Sequence, residues 1–175
     1  MFFSGTQGPA VILAGSCSVA TNAQTGYYLY HGGKAIRLED RLLLDGVQTS
    51  GSVWEQALNL ECDTPLIYSW ESPEGLKAKR NEQGKALSAL IEKTLSEIAV
   101  LAVNDGTYRI IVAGGETSGA VTQKLGYHAF WIGQSIAPGV PILIPLEQPE
   151  VRLVLKSGNF GQEDFFVRAL KMTKE

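Results

Sequence analysis

Residues 109–125 constrain the fold more than any other segment, because they predict a buried strand, a glycine turn and a helix in direct succession. The run Arg109–Ala113 is short, apolar and rich in β-branched residues, which is typical of a strand buried on both faces. Two glycines at 114–115 allow a tight turn and a close backbone approach to a ligand. Thr117 and Ser118 follow, and both are residue types that cap helices. The free N–H groups of a helix start attract anions, so this unit predicts either an anion site or a plain strand-to-helix turn.

The same plan occurs twice more. An apolar strand over 10–14 leads into the glycine- and serine-containing turn 15–18 and then a helix over 19–30, and a strand over 152–156 leads into the turn 157–161. Strands that alternate with helices favour an α/β fold, here a three-layer α/β/α sandwich with a largely parallel sheet. Because the carboxyl ends of parallel strands share one edge, we expect the three turns to meet there and to form an anion or nucleotide site.

The other elements are predicted from hydrophobic periodicity and turn residues. They are strands over 35–38, 65–70, 128–132 and 140–146, helices over 52–60, 81–103 and 163–172, an ambiguous segment over 41–44 and a loop over 136–140. Ser52 and Glu55 have the spacing of a capping box. Pro141 and Pro145 predict that 140–146 is an edge strand or an extended connection.

Domain organisation follows from length and composition. The 175 residues suit one domain over 10–175, and the Gly/Pro-containing residues 1–9 are predicted to be a linker or a frayed end. The net charge is −3 without a basic run, which disfavours nucleic acid and acidic membranes as partners. The two cysteines form no Cys-x-x-Cys pair, so a reducing cytoplasm fits better than a disulfide or zinc scaffold. The first three residues lack the basic region of a secretory signal.

Three familiar motifs are absent, and their absence disfavours the classes of enzyme that carry them. No lysine follows the central glycines at P-loop spacing, and the segment GGETSG does not match Gly-x-Gly-x-x-Gly. A P-loop NTPase and a dinucleotide-dependent oxidoreductase are therefore disfavoured. The Gly-x-Ser-x-Gly nucleophile elbow of hydrolases is also missing.

Five segments together resemble the four-carbon acid sugar kinase family, and most closely its 3-oxo-tetronate kinase branch. They are residues 15–24 (GSCSVATNAQ), 113–121 (AGGETSGAV), 138–141 (PGVP), 155–161 (LKSGNFG) and 163–166 (EDFF). The resemblance covers essentially the whole chain, but only the carboxyl-terminal, nucleotide-binding half of that family. It implies that the amino-terminal, substrate-binding half is absent from this chain, either because the domain was excised or because the gene is split or truncated.

The resemblance implies a role in carbohydrate metabolism, with ATP and Mg²⁺ as cofactors and the terminal hydroxyl of a tetronate or 3-oxo-tetronate as phosphoryl acceptor. The residues that match the family's ATP-contacting positions are Ser16, Gly115, Glu116, Thr117, Ser118 and Gly158. We assign no catalytic residue and no metal ligand, since the catalytic base is expected in the missing half. An acceptor acid would reach the site through that half, and a homo-oligomer is left open.

Several residues near these motifs allow two interpretations. Glu116 can orient Mg²⁺ through water or be a solvated, helix-capping carboxylate. Lys156 can reach a phosphate, although a lysine at a strand end more often extends to water. Asp164 can be a general base or a first-turn helix acid, and Cys17 is interpreted as a packed side chain because no histidine is paired with it. Residues interpreted as structural or core are His31, His128, Phe160, Phe165 and Phe166.

The sequence therefore predicts the ATP-binding half of a sugar-acid kinase, incomplete as an isolated domain. Two alternatives remain. One is a non-catalytic interaction domain or effector-like protein that keeps the fold without using the pocket. The other is an anion-binding transferase that takes a different phosphorylated ligand.

Overall fold

A computed structural model describes residues 5–71 and 82–175, in which strands and helices alternate as predicted. The strands are β1 (Ala10–Ala14), β2 (Ala35–Arg37), β3 (Leu66–Tyr68), β4 (Arg109–Ala113), β5 (Phe130–Ala137), β6 (Val140–Pro145) and β7 (Arg152–Lys156). The helices of the described residues are α1 (Val19–Tyr30), α2 (Asp40–Leu44), α3 (Ser50–Leu58), α4 (Glu82–Asn104), α5 (Gly115–Leu125) and α6 (Phe165–Lys174). The predicted α/β class is confirmed, and the ambiguous segment 41–44 lies in α2.

All seven strands form one sheet in the order β2-β3-β1-β4-β7-β6-β5. The first five strands of that order run parallel, whereas β6 pairs antiparallel with β7 and β5 pairs antiparallel with β6. In the centre, Ala14 of β1 is the register partner of Ala113, and Ala113 is the partner of Lys156. The last residues of these three adjacent strands are therefore level with one another, and the three glycine turns start side by side.

Both faces of the central strands β1 and β4 are buried, which explains their continuous apolar runs. Leu13 packs with Leu95 and Ile98 of α4, whereas Ile12 packs with the opposite layer, which includes Phe165 and Phe166 of α6. Successive side chains of β1 thus enter different cores, as the two-residue period of a strand requires. Helices α3, α4 and α5 cover one face, and α1 and α6 cover the other.

The predicted capping box at Ser52 and Glu55 is wrong. The N-cap of α3 is Thr49, whose hydroxyl accepts from the Ser52 N–H at 3.2 Å, while the Ser52 hydroxyl accepts from the Thr49 N–H at 2.9 Å. A serine can serve either as the capping residue or as its partner three residues later. The threonine one turn earlier gives Ser52 the second role.

Strand β6 is not an edge strand, contrary to the prediction. It lies between β5 and β7, and the edges of the sheet are β2 and β5. Its pairing with β7 involves Ile142 and Leu143 only, so both prolines fall outside this short ladder. On the other side of the strand, both prolines are register partners of residues in β5. The predicted loop over 136–140 is also shorter than expected, because β5 continues to Ala137 and β6 begins at Val140.

Residues 5–9 form neither helix nor strand, but hydrogen bonds tie them to α6. The Thr6 N–H donates to the Thr173 carbonyl at 3.0 Å. The buried guanidinium of Arg109 donates to the carbonyls of Gly8 and Leu170 and to the Thr173 hydroxyl. Because Arg109 opens β4, this cluster occupies the edge of the sheet opposite the three glycine turns. Within the described residues, no helix has the length and apolar character needed to cross a membrane.

Candidate functional site

Hydrogen bonds between neighbouring strand ends hold the first two glycine turns together. The N–H groups of Gly15 and Ser16 both donate to the Ala113 carbonyl, at 3.0 and 3.1 Å. The Gly114 N–H in turn donates to the Lys156 carbonyl at 2.8 Å. The turns 15–18 and 114–118 therefore form one connected surface at the carboxyl edge of the sheet, where α/β proteins bind ligands.

A cavity of about 390 Å³ opens on this surface. Its floor comes from the turns after β1 and β4, one wall from the segment after β3, and another wall from α4. The lining residues are Gly15–Cys17, Asp40, Ser69–Glu71, Leu87, Ser88, Ile91, Glu92 and Gly114–Thr117. Four predicted site residues, Ser16, Gly115, Glu116 and Thr117, thus share one cavity.

Helix α5 begins earlier than the sequence predicts. Its N-cap is Gly114, with a φ of 127°, and Thr117 and Ser118 lie in its first turn instead of capping it. The positive φ of Gly114 turns the chain from strand directly into helix, a conformation that glycine adopts at low cost. No side chain caps this helix, and the first helical bond is donated by the Ser118 N–H to the Gly114 carbonyl. The N–H groups of residues 115–117 therefore have no acceptor among the described residues, and they are placed to bind an anion.

The glycines of the two turns have different roles. A Cβ on Gly15 would lie 2.1 Å from the Thr117 Oγ1, and a Cβ on Gly114 would lie 3.1 Å from the Ser16 backbone nitrogen. These two glycines are required by the packing of the protein itself. A Cβ on Gly115 would meet nothing within 4 Å, so the missing side chain at this position leaves open the cavity that Gly115 lines.

Gly158, in the third turn, does not line the cavity. Its carbonyl accepts hydrogen bonds from the Ser18 Oγ at 2.7 Å, the Thr21 Oγ1 at 3.1 Å and the Lys156 Nζ at 2.9 Å. A Cβ on Gly158 would lie 2.6 Å from the Ser16 Oγ. From the sequence, Gly158 is expected to allow the close approach of a ligand. In the structure, the absent Cβ instead leaves room for the side chains of Ser16 and Ser18.

Ser118 lies on the other side of the first turn of α5. It lines a second, more open cavity of about 430 Å³ together with Tyr127, His128 and Leu155. Its Oγ is buried and has no hydrogen-bond partner among the described residues. The predicted run 115–118 therefore contributes to two cavities, with residues 115–117 lining the first and Ser118 the second.

The main cavity has an acidic wall, of which sequence reasoning identified only Glu116. Asp40, Glu71, Glu92 and Glu116 contribute to its lining, which contains no lysine or arginine among the described residues. Burial raises the pKa of Glu92, and a hydrogen bond and charge repulsion from the Glu116 carboxyl raise it further. Glu92 lies on the polar side of a regular amphipathic helix, which by itself indicates only a solvated face. No local pattern links it to Glu116.

Replacing Glu116 with glutamine is expected to lower the pKa of Glu92, because the charge repulsion between the two carboxyls disappears. The pKa should stay above its ordinary value, since burial is the largest cause of the shift. A raised folded-state pKa means that Glu92 stabilises the fold most at low pH and loses this contribution as pH rises through that pKa. A carboxyl-carbon NMR titration measures the shift, and an unchanged Glu92 pKa in the variant would contradict the contact.

Two single-residue interpretations are wrong. Lys156 does not extend to water but is fully buried, at 0% exposure. Phe160 is not a core residue, since 46% of its surface is exposed, whereas Phe165 and Phe166 are core residues as predicted. Asp164 occupies the N-cap of α6, although its side chain makes no capping hydrogen bond.

The remaining side chains of interest make ordinary contacts. The Cys17 Sγ lies 3.7 Å from the Ser69 Oγ at the cavity, and both cysteines are free thiols. The His31 Nδ1 lies 2.8 Å from the Tyr27 carbonyl, and the His128 Nδ1 lies 3.4 Å from a Glu147 carboxylate oxygen.

Comparison with known proteins finds relatives over nearly the whole chain. A family model described as the nucleotide-binding C-terminal domain matches residues 11–166. The 3-oxo-tetronate kinase of Pectobacterium atrosepticum is 44% identical over 170 residues, which cover 94% of this chain and 40% of that protein. The 3-oxo-tetronate kinase of Cupriavidus necator is 43% identical over 165 residues, with coverage of 94% and 38%.

A solved structure shares the fold of this chain. The crystal structure of a Haemophilus influenzae protein superposes with a TM-score of 0.88 at 37% identity and covers 98% of this chain and 42% of that one. The chain spans about 40% of the length of the curated relatives it matches. These matches confirm the resemblance that the motifs indicate.

Proposed function

Because the chain belongs to the family of nucleotide-binding C-terminal domains, we propose that it is the ATP-binding half of a four-carbon acid sugar kinase. In this proposal residues 10–175 hold the phosphoryl donor, and a domain outside them holds a tetronate or 3-oxo-tetronate. The support is that the relatives named above are 3-oxo-tetronate kinases of more than twice this length.

One observation carries the proposal, namely the uncapped start of α5 in the main cavity. Three successive N–H groups, at residues 115–117, have no acceptor among the described residues, and the Gly115 position leaves space beside them. N–H groups arranged in this way, at the positive end of a helix dipole, bind phosphate oxygens. Ser16, on the neighbouring turn, contributes a hydroxyl from the same cavity.

The acidic wall fits Mg²⁺ bound together with a nucleotide. Among the described residues, no group of three or more His, Cys, Asp or Glu side chains is arranged to hold a metal ion. Mg²⁺ is usually bound through one or two carboxylates plus substrate phosphates and water. The Glu92–Glu116 pair can supply these carboxylates. When bound, the ion would neutralise charge on the phosphates.

The residues of this chain act by binding and orienting the donor. Phosphoryl transfer depends mainly on positioning and charge stabilisation. The backbone N–H groups of residues 115–117 stabilise negative charge on the phosphates, and the packing of Gly15 against Thr117 fixes the position of that helix start. The acceptor hydroxyl and its base are assigned to the other domain. The free cysteines and the need for ATP favour the cytoplasm as location.

Calorimetric titration of the purified chain with a non-hydrolysable ATP analogue and Mg²⁺ tests the proposal. We expect saturable binding that weakens at least about tenfold without Mg²⁺, and much weaker binding of AMP, which lacks the two outer phosphates. We also expect negligible phosphorylation of 3-oxo-tetronate by the chain alone, because the acceptor is not held beside the donor. A folded chain that binds neither the analogue nor ADP would overturn the proposal.

A further inference from the structure

Lys156 is a fully buried lysine for which the proposed function has no role. It ends β7, and its Nζ donates to the Thr21 Oγ1 at 3.0 Å, the Gly158 carbonyl at 2.9 Å and the Ser157 carbonyl at 3.2 Å. These three acceptors satisfy the three donors of an ammonium group. All three are uncharged, and the ammonium makes no ion pair with a carboxylate of the described residues.

The hydrogen bonds of Lys156 fix the third glycine turn in place. The Gly158 carbonyl accepts from Lys156, Ser18 and Thr21, so β7, its turn and the start of α1 converge on one oxygen. Because Gly158 has no Cβ, the Ser16 hydroxyl can lie close to it, as described above. Lys156 is thus connected to a cavity residue through a single turn, although it does not line the cavity itself.

The charge of Lys156 is unusual for its surroundings. A buried ammonium without a counter-ion is energetically unfavourable, and an anion that binds close by reduces that cost. The groups that contact it are the Thr21 hydroxyl of α1, two carbonyls of its own turn and the Phe165 ring of α6, whose centroid is 5.8 Å from the Nζ. None of these contacting groups is acidic, and burial lowers the pKa of Lys156 to about 8.

In contrast to Lys156, the charged side chains that line the main cavity are acidic. Its carboxyl groups come from α2, the segment after β3, α4 and the first turn of α5, and no lysine or arginine lines it. The positive side is formed by the uncapped start of α5 and, on the neighbouring strand, by the ammonium under the 157–161 turn. The start of α5, where the phosphates are proposed to bind, therefore adjoins both the carboxyl groups of the cavity and the turn that covers Lys156.

We propose that Lys156 is a positioning residue for the phosphate chain of the nucleotide, acting from beneath the 157–161 turn without contacting the ligand. It holds Gly158 against Ser16 and Ser18, and it supplies positive charge that the lining of the cavity lacks. This role rests on the proposed nucleotide function. Because the ammonium has no counter-ion in the protein, phosphates that bind nearby stabilise its charged form and cause the chain to take up protons at pH 8.

Calorimetry at pH 8 in two buffers of different ionisation enthalpy measures this uptake directly. For the unmodified chain binding the Mg²⁺-loaded ATP analogue, we expect uptake of up to about half a proton, the fraction that a lysine with a pKa near 8 has lost at that pH. Lys156→Arg keeps the charge but does not titrate, so it should bind the analogue without proton uptake.

Lys156→Met separates positioning from structural support. The substitution removes the cost of burying a charge without a counter-ion, which offsets the three lost hydrogen bonds, so the melting temperature should change little. The affinity for the analogue should nevertheless fall at least about tenfold, an effect of about 1.4 kcal/mol. Lys124→Met is the control, because Lys124 is exposed at the far end of α5 and should change neither quantity.

The outcomes distinguish the two proposals. Saturable binding without proton uptake in the unmodified chain would overturn the role of Lys156 and leave the nucleotide site standing. Equal uptake in Lys156→Arg would assign the proton to another group and would also overturn it. No binding by the folded, unmodified chain would overturn both proposals.

Discussion

Replacing Gly115 with valine is expected to weaken binding of the Mg²⁺-loaded ATP analogue at least about 100-fold while the fold stays intact, a loss of about 2.7 kcal/mol. A Cβ at this position would contact no protein atom within 4 Å, so the branched side chain extends into the cavity without straining the protein. There it occupies the space beside the three N–H groups that are proposed to hold phosphate. Titration calorimetry measures the affinity, and circular dichroism verifies the fold.

Gly51→Val is the matched control for this experiment. Gly51 also lies in the first turn of a helix, α3, and a Cβ there also meets nothing within 4 Å, but it does not line the cavity. Both variants carry the same cost of placing valine in a helix. If the Gly115 variant bound the analogue as tightly as the Gly51 variant, the phosphate site would have to lie elsewhere.

Replacing Gly15 with alanine is expected to lower the free energy of unfolding by about 2 kcal/mol, since overpacking a rigid interior typically costs 1–3 kcal/mol. The added Cβ would lie 2.1 Å from the Thr117 Oγ1 and 3.1 Å from a methyl group of Leu95. Strand β1 and helix α5 would have to separate at the point where the cavity floor is built. Thermal unfolding should show a melting temperature about 4–8 °C lower.

A second substitution identifies the cause of that loss. Thr117→Ala removes the oxygen that the new Cβ meets, so the double variant should regain a large part of the stability that Gly15→Ala loses. Residues in contact show such non-additive effects, whereas distant ones do not. Strictly additive losses would mean that the Gly15–Thr117 contact is not what requires glycine at position 15.

The layout of the sheet could be predicted from the sequence because the signals are local and strong. Apolar five-residue strands and glycine turns mark β1, β4 and β7, and the carboxyl-edge rule brings their turns together. Where local signals allow two answers, the prediction failed. Both Thr49–Ser52 and Ser52–Glu55 fit a capping pattern. The prolines of β6 lie outside its short ladder with β7 and are register partners of β5 residues, so they do not confine the strand to an edge.

The candidate site could be predicted only in part, and the reasons are again physical. The glycine turns supply the residues that line the cavity floor, and their types indicate anion binding. Glu92 comes from a helix that reaches the cavity only through tertiary packing, so no spacing in the sequence identifies it. Lys156 was misjudged for the same reason, because its burial depends on α1 and α6 covering the end of β7.

The order of the strands also determines when the site can form during synthesis. The β1–β4 ladder aligns residue 14 with residue 113, and β7 adds residue 156 beside them. Such distant pairings form late, because a long loop must close before any contact compensates for the lost entropy. A nascent chain that has emerged only through α5 has both walls of the main cavity but neither the third turn nor its lysine. Nucleotide added during translation would therefore be bound with full affinity only after β7 has joined the sheet.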